Sequence, residues 1–305
     1  MNIIFIGGVT YSYEILSSIL NAGWNISAVF SYMDSKKNKY SDFANFDELA
    51  KKFEFKNIKV NNINDFENIE IIKEIKPDLI LVMGWSQLLK KEIISIPRIG
   101  IIGSHPTELP KYRGRAPIPW TILKNLKKSA LTFFWINEGV DNGDILDQVT
   151  FDVNQQDDAS TIYQKVIKLG KEMILSDLEK INEDNYSRKK QNPEEFIENW
   201  PKRTPEDGKI DWTISGKEIQ TLIRATTHPY PGAYTFLNNS KLIIWKADFI
   251  KNGNFDSGKI LEIKDNFINI GCKDGYLILK DVSLDEKHLS INKIFNQKDL
   301  GKSLG

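Results

Sequence analysis

Cysteine is almost missing from this chain: Cys272 is the only one in 305 residues. An intrachain disulfide is excluded, no Cys/His cluster of ligand spacing accompanies it, and neither structural zinc nor any other metal is expected. Core packing is the expected role of Cys272. Excess charge is lacking too, since 41 Lys and Arg face 41 Asp and Glu, so there is no general attraction to nucleic acid or to an anionic membrane. No uncharged apolar run approaches the ~18 residues of a membrane span. The apolar stretch Ile3 to Gly8 is too short for a secretory signal and has no basic flank. A cytoplasmic, unprocessed protein is expected. Gly-x-Gly-x-x-Gly is also absent: Gly7-Gly8-Val9-Thr10 reads as a tight strand-to-helix turn, and no fitting ribose-binding acid follows, which argues against a nicotinamide dinucleotide.

What is present suits a compact protein of two or three units, with 41% apolar and 11% aromatic residues. Ile3 to Ile6, Ser27 to Phe30, Leu79 to Val82 and Ile99 to Ile102 read as buried strands. Helical spacing at Tyr13 to Asn21, Phe46 to Phe53 and Ile69 to Ile75 alternates with them. That alternation predicts an α/β fold with an N-terminal Rossmann-like parallel sheet, whose ligands sit outside the strand C-termini. Gly84, His105 and the loop around Asp141 fall at such edges. Strands are expected at Ala130 to Asn137 and Ile145 to Val153, then a long helix over Asp158 to Asn182 capped by Asp158 or Ser160. The polar stretch 184–208, with three prolines and Arg188-Lys189-Lys190, reads as a linker between domains at 1–183 and 209–305. Beyond it, short strands near Leu242, Lys259, Ile268 and Tyr276, separated by Gly or Asn/Asp turns, predict a smaller β-barrel-like domain.

Two segments carry the chemistry. Residues 103–118 run Gly-Ser-His-Pro-Thr-Glu-Leu-Pro-Lys-Tyr-Arg-Gly-Arg-Ala-Pro-Ile, and residues 140–144 run Val-Asp-Asn-Gly-Asp. They place His105 and Asp141 in separate Gly/Pro-rich loops flanked by apolar strands, as a rigid sheet presents an acid/base pair. Singly, each has a plainer reading: His105 as a loop histidine, and Asp141 as turn chemistry in Asp-Asn-Gly. His228 precedes a proline and His288 lies in a charged segment, so both read as structural or exposed.

Together these segments resemble the folate-dependent formyltransferases, with their Asn-x-His-x-x-x-Leu-Pro-x-x-(Arg)-Gly loop and later Asp-x-Gly-Asp/Ala loop. Arg203-Thr204-Pro205-Glu206-Asp207-Gly208, Ile210-Asp211-Trp212, Ile223-Arg224-Ala225 and Tyr230-Pro231-Gly232-Ala233-Tyr234 extend the resemblance over nearly the whole chain. The wording Arg113-Gly114-Arg115-Ala116-Pro117 is most similar to the branch that formylates nucleotide-linked amino sugars, implying a transferase of surface polysaccharide biosynthesis. The resemblance implies 10-formyltetrahydrofolate as co-substrate and His105 and Asp141 as the catalytic pair. Formyl transfer to an amine passes through a tetrahedral intermediate, which needs an oxyanion donor and proton-handling groups. Asp141 nearby is expected to raise the pKa of His105, leaving an imidazole that holds a proton near neutrality.

The resemblance also implies that the loop carrying Trp85, Gln87, Leu88 and Leu89 holds the folate through backbone hydrogen bonds and an apolar wall. Core packing is the equal alternative for both leucines. Thr10 and Tyr11 are implied acceptor contacts; Lys111, Arg113 or Arg115 could meet a diphosphate and Tyr230 could stack on a nucleobase, with surface charge and strand packing as alternatives. From Thr204 onward 14 Lys and Arg face 13 Asp and Glu, which disfavours a nucleic acid partner. Methionyl-tRNA formylation, a formyl-folate hydrolase and a non-catalytic folate or nucleotide-sugar binding module stay as alternatives; a homodimer is compatible with any of them. One departure matters: Gly103 stands where the family carries its Asn, and Ser104, on the next residue of an extended segment, is expected to face away from His105.

Overall fold

The computed structural model describes residues 1–305. In chain order its elements are β1 (Ile3–Ile6), α1 (Thr10–Asn21), β2 (Ile26–Tyr32), α2 (Asp47–Phe53), β3 (Lys56–Val60), α3 (Phe66–Ile75), β4 (Leu79–Val82), α4 (Lys91–Ile94), β5 (Gly100–His105), β6 (Tyr112–Gly114), α5 (Pro117–Leu123), β7 (Lys128–Trp135), β8 (Ile145–Asp152) and α6 (Ala159–Asn182). There follow β9 (Glu198–Trp200), α7 (Gly216–Thr226), β10 (Ala233–Leu237), β11 (Ser240–Lys251), β12 (Ile260–Ile263), β13 (Ile268–Cys272), β14 (Gly275–Leu284), β15 (Lys287–His288) and α8 (Ile291–Ile294). No helix is long and apolar enough to cross a membrane.

The first compact unit comprises residues 1–117, 127–153 and 163–201. Its seven-stranded sheet has the order β3-β2-β1-β4-β5-β7-β8. The strands from β3 to β5 are parallel, as expected for fully apolar segments such as Ile3–Ile6 and Leu79–Val82, whose every residue is buried. The last two strands depart from the parallel expectation: β7 runs antiparallel to β5, and β8 antiparallel to β7. One face, carrying Ile4, Ile6, Phe30, Ile80 and Val82, packs with Ile69 and Ile72 of α3. On the other unit-1 helices, α1 and α6 approach closely enough that a β-carbon on Gly170 would lie 2.8 Å from Ile15. Asp158 does cap α6, its Oδ1 accepting the Thr161 amide at 2.9 Å.

The stretch expected as a linker is structured over most of its length. Ser187 O accepts the Trp135 indole N–H at 2.9 Å, Lys189 exchanges backbone hydrogen bonds with Ile145, and β9 pairs in parallel with β6. Residues up to Pro201 therefore belong to the first unit.

The second unit holds residues 118–126, 154–162 and 202–305. Its sheet is antiparallel, with the open order β10-β11-β14-β13-β12 and β15 paired to β14. Its core gathers Ile219 and Ile223 of α7 with Leu242, Ile244, Ile270, Cys272, Leu277 and Leu279 from the strands. Cys272 is fully buried. Gly216 lets α7 begin against the sheet, because a β-carbon there would lie 2.3 Å from the Phe249 ring and 2.7 Å from Cys272 Sγ.

Candidate active site

His105 is the last residue of β5, opposite Thr132 on β7, and Gly103 is opposite Phe134. Strand alternation sends Ser104 the other way, where it lies beside the Tyr11 hydroxyl, as the spacing predicts. The His105 side chain is buried. Its Nδ1 lies 3.7 Å from Asp141 Oδ2, beyond hydrogen-bond reach, and the ring also faces the Tyr112 carbonyl. Its Nε2 is buried without a hydrogen-bond partner.

Burial drives the His105 pKa below the ordinary imidazole value, although the Asp141 charge and the Tyr112 carbonyl pull it upward. This corrects the expectation of a raised value. Desolvation of the cation outweighs one carboxylate beyond hydrogen-bond reach. The imidazole is therefore neutral near pH 7. An acceptor beside Nδ1 favours the proton there and leaves the Nε2 lone pair free, the arrangement of a general base.

Asp141 sits in the loop between β7 and β8 with φ +49°, a left-handed conformation that Asp adopts more readily than most non-glycine residues. Its surroundings hold it there. The Gly114 amide donates to Oδ2 at 2.9 Å, and the Gln191 side-chain amide donates to the Asp141 carbonyl at 2.9 Å and to the Gly143 carbonyl at 2.7 Å. Gly114 itself requires glycine: its φ is +104°, and a β-carbon would lie 2.4 Å from the Trp200 carbonyl oxygen.

The position of the family Asn is filled by apolar side chains. A β-carbon on Gly103 would lie 3.0 Å from both Cδ1 and Cγ1 of Ile136 and 3.1 Å from Cζ of Phe134. Thr132 and Gln148, which sequence reasoning passed over, brace the loop after His105: Thr132 Oγ1 donates to the Thr107 carbonyl at 2.6 Å, and Gln148 Nε2 donates to the Leu109 carbonyl at 2.9 Å. No local motif marks either residue.

The loop after β4 is firmly held. Trp85 stacks on Tyr32 at 3.9 Å, Tyr32 stacks on Tyr40 at 4.3 Å, and both tyrosine hydroxyls bond Ser86. Gln87 accepts the Ile63 amide and donates to the Asn61 carbonyl, so its side chain secures a neighbouring loop. The two leucines separate: Leu89 packs on the core, whereas Leu88 is 70% exposed and free to form an apolar wall.

Among the implied acceptor contacts, Thr10 lines a surface cavity of about 450 Å³ with Tyr13, Ala44, Asn45, Asp47 and Glu48; neither His105 nor Asp141 lines it. Tyr11 is buried beside Ser104. Lys111 pairs with Glu108 at 2.7 Å. Arg113 donates to Gln191 Oε1 through Nε at 3.2 Å and through its terminal nitrogen at 2.8 Å, and lies over the Phe196 ring. Arg115 is exposed. In the second unit, Tyr230 is half-buried, and its backbone amide donates to the Thr227 carbonyl. No group of His, Cys, Asp or Glu is placed to hold a metal ion.

Comparison with known proteins identifies the family. The formyl transferase family model matches residues 1–178, and the model of the formyl transferase C-terminal domain matches residues 202–299. The chain is 30% identical over 314 residues to the methionyl-tRNA formyltransferase of Ruminiclostridium cellulolyticum, covering 100% of each. Similar solved structures include WlaRD, a sugar 3N-formyl transferase in the presence of dTDP and 5-N-formyl-THF, with TM-score 0.67, 21% identity, and coverage of 92% of this chain and 97% of that one. Another is the N-formyltransferase of Helicobacter canadensis with folinic acid and dTDP-3-aminofucose, with TM-score 0.67, 20% identity, and coverage of 92% and 99%.

Proposed function

The chain belongs to the formyl transferase family, and on that premise we propose that it transfers a formyl group from 10-formyltetrahydrofolate to the amine of a nucleotide-linked amino sugar, in the cytoplasm. When bound, the donor supplies an acyl carbon on nitrogen, open to attack by an amine. The loop of Trp85, Gln87, Leu88 and Leu89 is assigned to hold it, the exposed Leu88 forming the apolar wall. His105, neutral and with Nε2 unpartnered, takes the proton that the amine must lose as its nitrogen bonds to the formyl carbon. Asp141 keeps the imidazole in the Nδ1–H form and stabilises the imidazolium that results. The proton then returns to the departing folate nitrogen.

The observation that carries the acceptor assignment is the charge pattern of the second unit. Four of its sheet-region lysines, Lys259, Lys264, Lys280 and Lys302, are each paired with an acid nearby, Asp256, Glu262, Asp248 and Asp299. With 14 Lys and Arg against 13 Asp and Glu from Thr204 onward, the unit has almost no net charge, which argues against a basic stripe for a polyphosphate backbone. The folds with bound dTDP or dTDP-3-aminofucose support the same choice. Arg115, exposed beside the His105 loop, is the side chain assigned to the acceptor diphosphate.

Formylation of methionyl-tRNA is the second reading, favoured by the full-length match to an enzyme of that name. Incubation with 10-formyltetrahydrofolate and either a panel of dTDP-, UDP- and GDP-linked amino sugars or initiator methionyl-tRNA separates them. Formylated sugar supports the first reading. Formylated tRNA overturns it, and folate release without any acceptor points to a hydrolase.

A further inference from the structure

The Gln191 amide has all its hydrogen-bonding capacity committed to three residues, 48, 50 and 78 positions away in sequence. Both N–H groups go to carbonyls of the Asp141 loop, those of Asp141 and Gly143, and the oxygen accepts twice from Arg113. The orientation is dictated by the partners, since carbonyls accept only from the NH₂ end and a guanidinium donates only to the oxygen. Arg113 is steadied in turn by the Phe196 ring, 5.4 Å from its guanidinium carbon. The neighbouring backbone adds a second anchor: Gly114, one residue after Arg113, donates to Asp141 Oδ2.

Asp141 thus has its carbonyl tied by Gln191 and its carboxylate by Gly114, which together fix its left-handed conformation. We propose that Gln191, braced by Arg113, is a positioning residue that fixes the Asp141 carboxylate against His105. The inference rests on the formyl-transfer reading for its kinetic consequence. It also reassigns Arg113 from the acceptor diphosphate, because its donors are turned to Gln191.

The test compares Gln191→Glu, Gln191→Ala, Arg113→Lys and Arg113→Met in the full chain. Gln191→Glu keeps the size and the acceptor for Arg113 but sets a carboxylate oxygen against two carbonyls. It should lower kcat between about 10-fold and 10²-fold, as small displacements of a reacting group do, with KM for donor and acceptor and the melting temperature nearly unchanged. Arg113→Lys retains a donor and should keep most of kcat, whereas Arg113→Met and Gln191→Ala, which each remove part of the bracing, should lower kcat about 10-fold or more. Hydrogen exchange provides a readout that needs no turnover: peptides covering residues 111–116 and 139–144 should exchange faster in Gln191→Glu than in the wild type. If the wild type transfers no formyl group, the functional reading fails and the exchange result alone decides the positioning claim. Unchanged exchange and unchanged kcat in Gln191→Glu, or an increase in acceptor KM at constant kcat, would overturn it.

Discussion

Ile136 occupies the space that a side chain at Gly103 would enter, with two of its carbons 3.0 Å from the β-carbon position. The Gly103 backbone is outside the left-handed region, so crowding rather than dihedral strain opposes a larger residue there. Gly103→Asn alone should lower the melting temperature, at a cost of about 1–3 kcal/mol from overpacking. Gly103→Asn combined with Ile136→Ala should restore stability and raise kcat if a side-chain amide improves oxyanion stabilisation. Thermal melts and steady-state kinetics of the single and double variants check this; a double variant with unchanged kcat would show that the oxyanion already has its donor.

Gly114→Ala should damage both fold and site. Its φ of +104° and the Trp200 carbonyl leave no place for a methyl group, and the amide that holds Asp141 would move with the backbone. A loss of about 2 kcal/mol or more is expected, with kcat down at least about 10-fold. Calorimetry and kinetics read the two effects separately.

The pH dependence follows from His105, whose pKa burial holds below the ordinary imidazole value. Because only the neutral ring accepts a proton, kcat/KM should remain level through neutrality and fall only below about pH 6.5, the unperturbed value. The stability linkage has the same sign. In the window between the depressed folded value and about 6.5, the unfolded chain binds more protons, so stability is complete above that window and declines as pH falls through it. An acid limb centred above pH 7 would contradict the assignment.

Asp177 on α6 behaves oppositely. Burial pushes its carboxyl up to about 6, with the Asp147 charge adding to the effect and Lys180 opposing it. The folded form holds a proton that the unfolded form releases, so this group's contribution is fully present below about pH 4 and is lost as pH rises through about 6. Asp177→Asn should therefore stabilise the protein by up to about 3 kcal/mol at pH 7.5 and leave it unchanged near pH 4. Melting temperatures at the two pH values decide it.

The parts legible beforehand are those written in local pattern. Apolar runs marked the parallel strands, Asp158 marked the start of α6, and two Gly/Pro-rich loops placed His105 and Asp141 at strand edges. The capping box of α7, Ser215 with Glu218, is a further local signal of a helix start. What escaped depends on distant pairing. The antiparallel register of β5 with β7 brings Phe134 opposite Gly103, and Ile136 lies just beyond it. The role of Gln191 depends on segment 184–201 returning to the Asp141 loop, and a polar run beside Arg188-Lys189-Lys190 carries no trace of that. The direction of the His105 shift is not legible in sequence because burial, a tertiary property, outweighs a partner that sequence can suggest.

The most direct test measures formyl transfer by His105→Ala beside the wild type, with 10-formyltetrahydrofolate and a nucleotide-linked amino sugar, while donor affinity is followed by calorimetry. The account predicts turnover by the wild type and a kcat at least about 10²-fold lower in the variant, with donor binding and fold retained. A folded His105→Ala variant with near-normal kcat would contradict it.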